Sequence, residues 1–333
     1  MITGKEVNIQ HTTEWRTALE RASEMKTGQR GHCPVLRQKE DIPSDIVVEH
    51  RFERKGEIVM ENKNIVMLKR HFVNYKDPKT TTYYLNQCPD LAGYDVIDAT
   101  SRNPDPVFRS EISPMYIGPV VTPDGVTCNV FELLWQCSKV YPCHVGPDGE
   151  PTGDYFTWRN ARFAEPRPSL SDKSSVKRFR HINTELSAKH EDARYSLWYN
   201  NNTGKYDHLS YVQARKKIYI PEYARLVSGT ETFRKLKERV DAGEKLAFMD
   251  YDAFNIYSES AKGKVFERYL DRCKKRKAEP SLTRNDYMRL CTMKDVINCP
   301  FVSVGHGFIL KALLQGDISV EDGEVIDREG VLC

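Results

Sequence analysis

Three residues of one short stretch have types and spacing suited to chemistry: Glu132, Gln136 and Lys139, in FELLWQCSKVYPCH, residues 131–144. They stand at i, i+4 and i+7. In a helix turning about 100° per residue they share one stripe, with Trp135 at its border. Phe131, Leu134 and Ser138 cover the neighbouring surface, and Leu133, Cys137 and Val140 lie elsewhere around the cylinder. The pattern predicts one helix that is apolar on most sides, and therefore buried, with a narrow polar seam. Such a seam is costly unless its groups are paired or used. Glu132 and Lys139 sit two turns apart, roughly 10 Å along the axis, too far to satisfy each other within the helix. Either each is stitched to a neighbouring element, or the seam does chemistry. A carboxylate can move a proton or stabilise positive charge, and a lysine whose pKa burial has lowered is a nucleophile.

Other candidates are scattered along the chain. In EKLAFMDYD a strand is expected to run into Asp250 and Asp252, which alternation would place on one side. They are candidates for holding hydroxyls or for acid–base work, and a plain polar strand end is the alternative. VGHGF, 304–308, sets Gly305, His306 and Gly307 at the start of an apolar helix, FILKALLQ. Amides there can hold a phosphate, or the glycines can simply begin the helix. Arg102, at the end of the strand-like GYDVIDATSR, is a candidate phosphate clamp. Cys137, Cys143 and His144 do not have zinc-ligand spacing, and no metal or cofactor is expected.

The elements that must position these residues read as a mixed α+β protein with a mainly helical C-terminal part. Residues 12–27, TTEWRTALERASEMKT, have the apolar spacing of a short amphipathic helix, and 1–45 is taken as an arm. Residues 46–110 carry β-like runs, DIVVEH, GEIVME, NIVMLKRHFVNY and TTTYYL, read as a β-rich extension packed on a core domain spanning 111–333. In that domain YIGPVV is strand-like and TPDG a strong turn. SYVQARKKIYIPEYARLV holds helical segments around Pro221, GTETFRKLKERVDAG begins with a capping pattern, and KGKVFERYLDRCKKRKA and TRNDYMRLCTMKDVI read as amphipathic helices. Residues 165–185 form a basic, Ser-rich loop.

Fifty Lys and Arg against 47 Asp and Glu give a formal charge of +3, so global charge does not announce nucleic acid. Any contact with DNA must come from local basic loops such as VKRFRH. No apolar run approaches the roughly 20 residues of a membrane helix, and the first residues carry no signal-peptide core. A cytoplasmic protein without membrane contact is expected. Nine cysteines without a CxxC pair fit reduced thiols better than a disulfide framework.

DGVTCNVFELLWQCSKVY resembles the signature of the NADAR (YbiA-like) family, a D-G turn leading to a helix of pattern E-x-x-aromatic-Q-x-x-K-aromatic. This chain supplies Asp124, Gly125, Glu132, Trp135, Gln136 and Lys139, with the last aromatic displaced to Tyr141. SPMYIGPVV is similar to the family's Ser-x-x-Tyr stretch, DYFTWRNARF stands where it places a Trp-Arg segment, and IPEYARLVSGTETFRKL is similar to its long helix. Leu133 replaces the family's usual His after the Glu, and MDYDAFN stands in place of its Trp-Gly. The resemblance spans roughly 111–315, and its specific part about 25 residues.

The resemblance implies a NADAR-like core and an N-glycosidase that cleaves a ribose C1–N bond. The substrate it implies is ADP-ribosylated guanine in DNA or nucleotides, whose cleavage reverses a DNA-modifying toxin, as in toxin–antitoxin or phage counter-defence settings. A riboflavin-pathway intermediate is the other substrate linked to the family. A departing C1–N bond passes through an oxocarbenium-like state that needs a carboxylate and something to capture C1. By this resemblance Glu132 is acid/base or stabiliser and Lys139 a Schiff-base or charge-stabilising residue; Asp250, from its place at the strand end, is the third catalytic candidate. Gln136 would orient the ribose or base, and Tyr116 or Trp135 would stack on the base. Gly118, Trp158, Arg102, Asp252, Gly305 and His306 complete the substrate-binding set. Two other classes stay open: a module that binds ADP-ribose or a nucleotide without hydrolysing it, and a nucleic-acid-binding structural protein.

Overall fold

A computed structural model describes residues 64–69, 93–171, 193–327 and 330–331. The expected helix at 12–27, the runs DIVVEH, GEIVME and TTTYYL, and the basic VKRFRH lie outside the described residues. The described residues fall in one compact unit, Met60–Cys333.

Its centre is a three-stranded parallel sheet. β1 (Ile65–Lys69) and β2 (Asp95–Asp98) flank a strand from far along the chain, introduced below as β8, which gives the order β1-β8-β2. Residues 64–69 and 93–98 thus share a sheet with the C-terminal half, and the boundary expected at 110 falls inside the unit. After β2, α1 (Pro106–Ile112) starts at the Asp105 cap, whose side chain accepts from the Val107 N–H. β3 (Val120–Val121) and β4 (Thr127–Cys128) form a hairpin around the TPDG turn, with Gly125 at φ +79° closing it.

α2 (Phe131–Cys137) follows at once, and it corrects the expectation of one helix over 131–144. The chain bends at Ser138 and runs as β5 (Lys139–Val140) into a 3₁₀ turn at Pro142–His144. Pro142 is the reason. In a continued helix its missing N–H would leave the Ser138 carbonyl unbonded, and its ring would crowd that same carbonyl. The residue before a proline also avoids helical backbone, and Tyr141 is extended at φ −94°, ψ 159°. β5 pairs instead with β6 (Tyr195–Asn200), which pairs with β7 (Lys205–Leu209). Between β5 and β6 lies α3 (Gly153–Phe163).

The helical stretch after β7 is built as expected around Pro221. α4 (Tyr211–Ala214) opens with a capping box between Ser210 and Gln213. A π-helical turn, Arg215–Tyr219, then leads into α5 (Ile220–Val227), where Pro221 occupies the first turn and needs no N–H partner. α6 (Glu231–Asp241) is capped by Thr230 and stops at Gly243, φ +76°. β8 (Leu246–Asp250) is buried at every position, as a central parallel strand must be.

α7 (Glu259–Arg276) is one long helix. The single helix expected over TRNDYMRLCTMKDVI is two, α8 (Arg284–Met288) and α9 (Met293–Asn298). Thr283–Asp286 and Thr292–Asp295 each form a capping box, and the second starts a new helix where the first has ended. α10 (His306–Gln315) ends at Gly316 in the left-handed conformation, as its glycine predicts. The chain closes with β9 (Ile318–Glu321), β10 (Glu324–Asp327) and β11 (Gly330–Val331), an antiparallel addition to a C-terminal part read as mainly helical.

The architecture is mixed α/β with small sheets. α10 lies against β1 and β8 with Phe308, Ile309 and Leu310 fully buried. α2 contributes Phe131, Leu133 and Leu134 to the same core, and each such side chain adds roughly 2 kcal/mol by leaving water. Phe131 meets Tyr219 and Tyr223 at centroid distances of 5.2 and 5.7 Å. These rings tie α2 to the π turn and α5.

Candidate active site

The seam starts from how α2 begins. Its cap position is Val130, which offers no side-chain acceptor. The first-turn amides are satisfied from the preceding stretch instead: Phe131 N–H donates to the Ile117 carbonyl and Glu132 N–H to the Pro114 carbonyl, both at 2.9 Å. Residues 114–117 therefore fix the height and rotation of Glu132. Gly118 lets that stretch lie close. It sits at φ +144°, and a Cβ there would meet the Asn129 carbonyl oxygen at 2.5 Å. Its observed work is packing. Tyr116, expected to stack on a base, is 4% exposed, with the Arg109 guanidinium 5.9 Å from its ring centre.

Glu132, Gln136 and Lys139 form a continuous hydrogen-bonded line. Gln136 Nε2 donates to Glu132 Oε1 at 2.8 Å, and Lys139 Nζ donates to Gln136 Oε1 at 2.8 Å. The acid and the amine do not meet directly, as their separation requires, but one amide bridges them. The early end of α2 helps, because Lys139 leaves from a strand and can turn back along the helix. Glu132 is buried, while Gln136 and Lys139 are partly exposed, so the line runs from the interior towards solvent.

Lys139 lies over the Trp135 ring, 4.5 Å from its centre. Burial lowers its pKa from 10.5 to about 8, against the opposing pull of Glu132, Cys137 and Asp252. Such an amine is partly neutral near physiological pH. Tyr219, which the sequence reading missed, packs on Trp135 at 4.9 Å. Its hydroxyl is held protonated by burial first, and by the fields of Glu132 and Asp250 next. Only its burial beside two carboxylates marks it, and one sequence cannot reveal that adjacency.

Asp250 and Asp252 part company. β8 ends at Asp250, which is buried, whereas Asp252 lies beyond the strand and is exposed. Both Asp250 oxygens accept backbone amides: Oδ1 from Tyr251 at 2.7 Å, Oδ2 from Gly307 at 2.9 Å. Asp250 thus caps α10 from another strand. Gly305 and Gly307 make room for it, since a Cβ on Gly307 would stand 2.9 Å from Asp250 Cβ and one on Gly305 would overlap Asp250 Oδ2. Both glycines are buried, and the Gly307 amide that a phosphate would need is already bonded to the Asp250 carboxylate. His306 donates from Nε2 to the Ala99 carbonyl at 2.5 Å and sets Nδ1 3.4 Å from Asp250 Oδ2. Arg102 lies in the bend just after Ala99, its backbone N–H donating to Thr100 Oγ1. The field of Asp252 reaches Lys139, Tyr219 and Arg268, so the end of β8 and the seam share one neighbourhood.

One predicted residue, Trp158, has a structural place elsewhere. Trp158 stands on α3 among His144 and Tyr155. Its neighbour Arg159 pairs with Asp124 at 2.7 Å, and Tyr206 donates to the same oxygen at 2.6 Å. That buried pair clamps α3 to the β3–β4 turn. A shallow cleft lies beside it, lined by Asp124, Leu134, Ser138, Arg159, Trp198 and Tyr206; none of Glu132, Gln136 and Lys139 lines it. Among the described residues no cluster of three or more His, Cys, Asp or Glu is placed to hold a metal ion, and no helix is long and apolar enough to cross a membrane.

Comparisons with protein-family models, with curated proteins and with solved structures return no match to this chain.

Proposed function

We propose that the chain is an N-glycosidase with a NADAR-like core that cleaves a ribose C1–N bond, and that its substrate is ADP-ribosylated guanine in DNA or a nucleotide. The observation that carries this reading is the line Glu132–Gln136–Lys139, which ends in an amine with a pKa of about 8. It joins, in one arrangement, the acid, amide and amine that the resemblance to the NADAR family singles out.

In the proposed reaction the guanine nitrogen leaves with the C1–N electron pair and takes up a proton, and positive charge develops at C1 and the ring oxygen. The Glu132 carboxylate is the group to stabilise that charge. The neutral Lys139 amine attacks C1 in place of the departed guanine; the bond from C1 to the ring oxygen then breaks, that oxygen taking a proton from the amine, to give a protonated imine of the opened sugar. Addition of water to that imine returns free ADP-ribose and the amine. Gln136, bonded to both, keeps acid and amine at a fixed spacing. Asp250, whose oxygens are both committed to amides, positions α10 and the end of β8 in this scheme and does not act as a base.

The test is mass spectrometry of a short DNA carrying ADP-ribosyl-guanine, incubated with wild type, Glu132→Ala and Lys139→Ala. Loss of the ADP-ribose mass with wild type alone supports the reading. An adduct that survives wild type sinks it for this substrate, and full activity in both variants removes the seam from the reaction.

A further inference from the structure

We infer that Tyr211 is the platform on which the purine ring of the substrate stacks, so that this face selects a ligand with a flat aromatic base. The inference rests on the glycosidase reading for the identity of that base, and on geometry of its own for the platform.

Among the described residues Tyr211 is the only exposed Phe, Tyr or Trp, with 39% of its surface open. Single exposed aromatics need no explanation in general, but this one is built into place. It is the first residue of α4, held by the reciprocal Ser210–Gln213 capping box. The Arg215 guanidinium lies over its ring, 4.6 Å from the centre. Arg215 is itself 1% exposed and fixed by the carbonyls of Val296, Ile297, Cys299 and Val302. A buried cation with four backbone acceptors does not move, so the ring above it is rigid and its uncovered surface faces solvent.

The position is also specific. Tyr211 packs on Trp135 at 5.9 Å, and Trp135 carries Lys139 Nζ at 4.5 Å from its centre. Tyr211 and the Lys139 amine thus both lie against Trp135. Trp135 and Tyr116, the aromatics expected to stack on a base, are 9% and 4% exposed, so neither offers an open face. A base resting on Tyr211 would keep its glycosidic bond on the side of Trp135 and Lys139. Aromatic side chains stack on any base, and removing one weakens binding by about tenfold or more.

The experiment is titration of the full chain with guanosine 5′-monophosphate, followed by tryptophan fluorescence and calorimetry, with ribose 5-phosphate as the ligand lacking a base. Tyr211→Phe should bind the nucleotide as wild type does, and Tyr211→Ala about tenfold more weakly. The inference also expects ribose 5-phosphate to bind the three proteins alike, with melting temperatures that stay together. Equal nucleotide affinity in wild type and Tyr211→Ala overturns the inference, as does absence of nucleotide binding to wild type. Cleavage of the DNA adduct is scored separately. A wild type that cleaves while Tyr211→Ala binds the nucleotide normally would refute the platform and leave the glycosidase standing. Nucleotide binding that depends on Tyr211 without cleavage would do the reverse.

Discussion

Two carboxylates, Glu132 and Asp250, act on the same buried tyrosine, Tyr219, yet they are satisfied in opposite ways. Asp250 spends both oxygens on backbone amides and is hemmed in by two glycines. Glu132 accepts from a side chain, which accepts from another side chain that reaches solvent. A carboxylate bonded to backbone cannot change partners without moving a strand or a helix. A carboxylate at the inner end of a side-chain relay can, because rotating Gln136 or Lys139 leaves the backbone alone. The first arrangement ties a strand to a helix, and the second links side chains whose rotation leaves the backbone in place. Type and burial alone would have ranked Asp250 above Glu132.

The sharpest way to break this contrast is to cut each cluster and ask what is lost. Lys139→Ala should reduce adduct cleavage by about 10³-fold or more, roughly 4 kcal/mol of barrier, while the melting temperature stays within a few degrees. Glu132→Ala should fall in the same class. Asp250→Ala should show the inverse pattern. Losing a buried acceptor of two amides, and leaving the first turn of α10 unpaired, should cost about 3 kcal/mol in urea unfolding. A stable Asp250→Ala protein with no activity would move Asp250 into the chemistry and undo the distinction.

A gentler substitution sharpens the same point. Gly307→Ala gains helix propensity worth about 1 kcal/mol, since the residue is helical. Against this, the new Cβ would lie 2.9 Å from Asp250 Cβ and 3.1 Å from Met67 Cε, in a buried spot with nowhere to relax. Overpacking of that kind costs about 1–3 kcal/mol and should win. A net loss of up to about 2 kcal/mol by denaturant titration is expected; a stabilised variant would mean that the Asp250 seat is loose.

How legible each cluster was in the sequence follows from the range of the forces involved. The i, i+4, i+7 spacing of Glu132, Gln136 and Lys139 is local, and it placed all three side chains on one line even though the helix stops at Cys137. The proline that stops it, Pro142, was also in plain view and should have ended the predicted helix earlier. Capping at Thr230 and the turn at Gly125 are similarly local. The cap that Asp250 places on α10 joins residues 57 positions apart, and the parallel pairing of β1 and β2 with β8 joins strands across half the chain. No periodicity encodes such contacts, which is why GHG could be read either as a phosphate site or as a plain helix start, and residues 46–110 as an extension packed on a core. The setting of Tyr211 is hidden for a related reason: the Arg215 guanidinium over its ring is held by acceptors that lie some 80 residues on.

The smallest effect is the one most specific to the seam. In the folded protein Lys139 gives up its proton near pH 8, while in the unfolded chain it keeps it to about 10.5. Between those values the unfolded state binds more protons, so this residue makes the protein gain stability as pH rises. Below pH 8 the charged ammonium is tolerated at a cost. Cys128 works in the opposite direction, since burial raises its thiol to about 12 and the unfolded chain loses that proton first. The raw stability profile therefore mixes signs, and the informative quantity is the difference between wild type and Lys139→Met. That difference should move in favour of wild type between about pH 8 and 10.5 and be level below pH 7. Cleavage by wild type should rise through about pH 8 with the neutral amine, following the same titration. A flat stability difference across that window would mean that Lys139 titrates as an ordinary surface lysine. The relay would then hold a permanent cation, and Lys139 would be reduced from nucleophile to charge stabiliser, with Glu132 left as the only reactive group on α2.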